Sequence, residues 1–217
     1  MRTVILVCLA ISVMLYGIPG AADAPDVQAT LSRPVAETNV QAKSLPEAAF
    51  MLLRGSGVPV AVERIGTYVC VTSQEWTEKP VSLHLAVGAS VAAGLDAAVE
   101  QDLRYEWKVI GCWVHIMPRA RNADYILDQP FLRPIPEGVR PAEALGQVMD
   151  WFPEGWDQGG RVLGSPKPVA RPDCGPVPDK PTIREAIDIG LWRSGVSFWE
   201  ARAKTGGKLV AVLAIWF

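Results

Sequence analysis

The sequence predicts an α+β protein of two related modules, each with helices packed on one face of small mixed β-sheets of the βαβ and βαββ type. Three observations lead there. A helix–turn–strand pattern is written twice, as LPEAAFMLLRGSGVPV at 45–60 and IREAIDIGLWRSGVSF at 183–198, an ungapped offset of 138 residues. Two fainter helical stripes, SVAAGLDAAV at 90–99 and RPAEALGQVM at 140–149, lie between the copies. Short alternating apolar runs fill the intervals and read as strands. The modules are placed at 30–120 and 125–217, behind a signal peptide at 1–22.

In chain order, Arg2 precedes an apolar run from Val4 to Ile18 and then small residues, with Gly20 and Ala22 suited to a signal peptidase site. The run has 15 residues, fewer than the roughly 20 that span a bilayer. Ser44 and Thr182 each stand three residues before a glutamate, Glu47 or Glu185, and so predict capping boxes. Leu45, Ala48, Ala49, Leu52 and Leu53 form one helical stripe, matched by Ile183, Ala186, Ile187, Gly190 and Leu191. Gly57 and Gly195 are expected to end the two helices in the left-handed conformation. Val58, Val60 and Val62 then alternate as a strand, as do Val196 and Phe198. VSLHLAV at 81–87 alternates too, and YEWKVIGCWVHIMP at 105–118 reads as a hairpin around Ile110-Gly111. The run 151–180 carries six prolines and five glycines, an insertion that is either functional or unstructured. GGKLVAVLAIWF at 206–217 reads as a turn and a last strand, expected at a sheet edge.

The order of strand, SLPEAAFMLLRGSGVPVAVE, VSLHLAV, SVAAGLDAAVEQ and YEWKVIGCWVHIMP resembles the short N-terminal domain of secretins and TonB-dependent receptors. The resemblance covers roughly residues 35–118, and 125–217 looks like a looser second copy. It implies helices covering small sheets and a role in docking other envelope proteins. No plug, secretin core or barrel is read in these residues, so docking and not transport is the expected role.

Chemistry is harder to read. Net charge is −2 with both signs interspersed, so no basic face points to nucleic acid or to an anionic membrane. His84 and His115 fall out of phase with the apolar faces of their strands, which places both on solvated faces. No third ligand is spaced to complete a metal site with them. No nucleophile–base motif or cofactor loop appears, so no catalytic, metal or cofactor-binding residue is assigned and no cofactor is expected. Behind the signal, Cys70, Cys112 and Cys174 form an odd set in an oxidising compartment. All three can be packing residues; the candidate disulfide is Cys70–Cys112, if both lie on strands. Of eight tryptophans, Trp76, Trp113, Trp151, Trp156 and Trp216 are the candidate partner-binding anchors.

The reading is an exported (periplasmic or secreted), non-catalytic adaptor of the cell envelope, binding another protein through an open strand edge. The alternative is an exported small-ligand binder or hydrolase with its site near 151–180. Export with cleavage after Ala22 gives a first test: mass spectrometry of the native protein should find Asp23 at its amino terminus, whereas retained Met1 would mean an uncleaved anchor.

Overall fold

The computed structural model describes residues 25–65, 67–70, 73–75, 78–121, 123, 125–135, 143, 147, 160–163, 171, 173–203 and 209–215, with the backbone alone described at 67–70, 73–75, 160–163, 202–203 and 209–215. In chain order the elements are α1 (Val27–Ser32), β1 (Thr38–Ala42), α2 (Leu45–Leu53), β2 (Val60–Ile65), β3 (Thr67–Cys70), β4 (Ser73–Glu75) and β5 (Val81–Leu85). They continue with α3 (Val91–Gln101), β6 (Tyr105–Ile110), β7 (Trp113–Pro118), a 3₁₀ turn (Ile126–Asp128), β8 (Gly160–Leu163), α4 (Ile183–Arg193), β9 (Phe198–Ala203) and β10 (Leu209–Ile215). The result is an α+β fold of helices packed against small sheets, and the described strands do not close into a barrel.

The helices start where their hydroxyls dictate. Ser44, Ser90 and Thr182 cap α2, α3 and α4, each accepting from the amide three residues on. The α4 cap is a full capping box, with Glu185 accepting from the Thr182 amide at 2.7 Å. Glu47 reaches one residue further back than expected and accepts from Lys43 at 2.8 Å. Past α4, Gly195 takes φ +83°, and Val196 and Gly195 donate to Leu191 and Trp192 in a Schellman closure. Past α2 the corresponding glycine is Gly55, at φ +74°, while Gly57 turns the chain into β2. The stripe near 140 lies outside the described residues except for Glu143 and Gln147, which are helical.

Helices α2 and α3 lie between two sheets. One is the antiparallel pair β1–β5, whose alternate residues Val81, Leu83 and Leu85 point inward. Val87 would continue that alternation, but the strand has already ended and Val87 is exposed in a turn. The other sheet has six strands in the order β6-β7-β2-β9-β10-β8, and β3–β4 form a separate small hairpin. The sandwich is tight at Gly94 in α3, where a Cβ would stand 2.9 Å from Leu85 Cδ1 and 3.2 Å from Leu52.

The six-stranded sheet joins the two halves of the chain. Strand β2 pairs in parallel with β7 on one side and β9 on the other. The β2–β9 register sets Val60 opposite Phe198 and Ile65 opposite Ala203, the same 138-residue offset at which the sequence repeats. The repeated helices nevertheless take opposite faces. Phe50 of α2 meets Phe198 edge-on with ring centroids 5.6 Å apart, on the face that carries Val60, Val62 and Arg64. Helix α4 instead meets Ala61, Glu63, His115 and Trp199, reaching Glu63 through Arg184 and both His115 and Trp199 through Asp188. Strand β2 is therefore buried on both faces, and Val60 to Glu63 are all inside.

Strand β10, expected at an edge, is internal, lying between β9 and β8. Its nearly continuous apolar sequence is compatible with that place, since a strand paired on both sides need not alternate. Among the described strands the edges of the sheet are β6 and β8.

This architecture makes residues 25–120 dependent on the rest. Expressed alone they would leave Ala61, Glu63, Trp113 and His115 without the cover of α4 and β9. The fragment should bind a hydrophobic dye and melt well below the intact chain, and a cooperative melt at the same temperature would show that the halves fold independently.

Candidate functional site

Under α4 lies a cluster of buried polar groups drawn from both halves. Arg184, in the first turn of α4, forks onto Glu63 of β2 with Nε 2.5 Å from Oε1 and Nη2 3.1 Å from Oε2. The Tyr125 hydroxyl donates to the same carboxylate at 2.8 Å, and Arg184 also bonds Asp128. The Ile126–Asp128 turn is held in place by the chain itself. Phe131 donates to the Pro181 carbonyl at 2.8 Å, and Ile183 donates to the Gln129 carbonyl at 2.9 Å. From Asp128 the charges run outward through Arg121 (3.1 Å) to Glu106 (2.8 Å) on β6. Burial works against the charge of Arg184, but its bonds to Glu63 and Asp128 outweigh this and raise its pKa. Burial and the neighbouring Glu63 carboxylate push the Tyr125 hydroxyl up as well, so it stays a donor.

One turn further along α4, Asp188 accepts from His115 Nε2 at 2.9 Å and from Trp199 Nε1 at 2.8 Å. The His115 and Trp199 rings stand edge to face, 6.0 Å apart. Burial raises the Asp188 pKa, and the donors from His115 and Trp199 only partly oppose it. On the opposite sheet face a second buried acid, Glu200, meets Arg64 with Nε 2.8 Å from Oε2. Glu63, Asp128, Arg184, Glu200 and Arg64 are spent on one another in ion pairs, and Asp188 is hydrogen-bonded to two rings. They hold strands and helices together and present no nucleophile next to a base.

The predicted site residues fall as follows. His84 is solvated, its side chain 63 % exposed beside Asn39 and Glu37. His115, expected on a solvated face, is 0 % exposed, because the second half of the chain covers that face of β7. Trp113, proposed as a partner anchor, is only 2 % exposed and belongs to the core for the same reason. The candidate anchors Trp76, Trp151, Trp156 and Trp216 lie outside the described residues.

Cys112 is bonded to Cys174, with Cα atoms 5.4 Å apart, and not to Cys70. The reason is local: Cys112 lies on no strand, but with Gly111 (φ +59°) forms the two-residue turn joining β6 to β7. From there it faces the segment that leads into α4. Nothing in the spacing of the cysteines signals this partner. Among the described residues no group of three or more His, Cys, Asp or Glu side chains could hold a metal ion, and no helix is long and apolar enough to cross a membrane.

No family model, curated protein or solved structure matches the chain.

The ion pair across the two halves gives a quantitative test. Arg184→Ala leaves Glu63 buried without its cation and should cost about 3–5 kcal/mol in chemical denaturation. The double variant Glu63→Leu, Arg184→Met should recover most of that loss. An Arg184→Ala protein as stable as the original would mean that Glu63 finds another partner.

Proposed function

We propose that the protein is an exported, non-catalytic docking protein of the cell envelope that receives an extended segment of a partner protein along strand β6. The likeness to the short N-terminal domain of secretins and TonB-dependent receptors supports this reading through the docking role of that family. The observation that carries it is that β6 has one neighbour, β7, among the described strands.

Register settles which β6 groups face outward. Arg119 donates to the Arg104 carbonyl at 2.8 Å, so bonded pairs with β7 recur at Glu106, Lys108 and Ile110. The intervening amides and carbonyls of Trp107 and Val109 point away from β7, where an incoming strand finds them. Lys108, about half exposed, puts a charge on this edge and discourages indiscriminate pairing. The ligand-binder or hydrolase alternative has its site near 151–180, most of which lies outside the described residues.

Val109→Pro tests this. Proline removes the outward amide and spares the bonds to β7, a position an edge strand tolerates. The variant should melt as the intact protein does and lose at least ten-fold in the recovery of its partners from an envelope fraction. If it stays folded and keeps every partner, docking along β6 is wrong.

A further inference from the structure

A half-enclosed cavity of about 90 Å³ lies beside the Cys112–Cys174 bond, between the β6–β7 turn, residues 173–178 and α4. Its walls are mainly apolar, with Ile110, Trp113, Val177, Ile189 and Trp192 prominent among them. The charged residues of the lining, Asp173, Glu185 and Asp188, are all acidic. Two of the three are committed elsewhere: Asp173 is clasped by Arg193 at 2.6 and 2.9 Å, and Glu185 closes the cap of α4.

Asp188 differs. Its two oxygens accept from an imidazole and an indole N–H, while Arg184 on the same helix is turned to Glu63 and Asp128. A carboxylate taken out of water is costly without a full positive charge to face it, and His115 supplies one only when its ring is protonated. The surrounding rings suit such a charge too: Trp192 already has the Arg171 guanidinium 4.4 Å from its ring centroid. An enclosure of this size takes a group of side-chain dimensions and is far below the roughly 300 Å³ of ordinary ligand pockets.

We propose that this cavity binds an ammonium group carried on a short apolar stem, with the stem between Trp113, Ile189 and Trp192 and the charge towards Asp188. Both a free alkylamine and a lysine side chain of another protein have this chemistry. The site is separate from the β6 edge, so either can fail without the other.

Titration of the intact protein with n-butylammonium, followed by the indole N–H resonances, is the direct test. The Trp199 signal should move, since that N–H bonds to Asp188. 1-Butanol, matched in shape but uncharged, should bind at least ten-fold more weakly, and Asp188→Asn should abolish the difference. Should that variant not fold, Ile189→Phe fills the cavity, keeps Asp188 and should remove binding. A lysine blocked at both ends serves as the second arm: binding comparable to butylammonium assigns the site to a protein side chain, and weaker binding to a free amine. Equal affinity for butanol and butylammonium, or no movement of the Trp199 signal, would overturn the proposal.

Discussion

Strand β2 has a neighbour on each edge and a helix on each face, and the rest of the fold follows from satisfying those four demands. Its edges are met by β7 and β9, one from each half of the chain. Its faces are met by α2 and α4, the two copies of the repeated helix. Burial on this scale forces Glu63 to find a cation inside the protein, because an isolated carboxylate would cost more than the strand could return. Arg184 supplies it across 121 residues of chain. The ion pair thus depends on how the sheet is assembled. It fixes how α4 sits, and α4 in turn brings Asp188 under His115 and Trp199.

Much of this was legible in the sequence. The caps at Ser44 and Thr182, the stripes of α2, α3 and α4, the inward set of β5 and the β6–β7 hairpin all follow from local rules that use only neighbouring residues. The 138-residue offset of the repeat even coincides with the register of β2 on β9. What could not be read was the face each helix would take. A helix–turn–strand unit looks the same whichever side of the sheet its helix folds onto, since the linking turn decides this. Hence His115 and Trp113 were assigned to solvent, or to a partner's surface, when the other half of the chain covers them.

The same limit explains the last strand and the cysteines. An apolar run such as that of Leu209–Ile215 fits an interior strand or a sticky edge equally well, and only the place of β8 beyond it decides. Pairing of Cys112 with Cys174 depends on where the segment before α4 is laid down, and that segment follows a proline-rich run with no periodicity to guide it. The buried acids gave one faint signal. Glu63 and Glu200 each stand on a mostly apolar strand, where a buried charge needs a partner.

The Cys112–Cys174 bond has a topological consequence. It makes the 62-residue separation into a covalent ring that contains most of the proline-rich run and β8, while α4, β9 and β10 lie on the chain leaving it. A protease cutting one peptide bond of that ring beyond β7 would open the circle without parting the molecule. The amino-terminal piece would keep the β6–β7 hairpin, the other piece would keep α4, and the sulfur bridge would still tie the two together at the point where they meet. Such a nicked protein would travel as a single species until reduced. The stretch of chain least constrained by neighbouring-residue rules is thus the stretch whose cleavage the fold can best withstand.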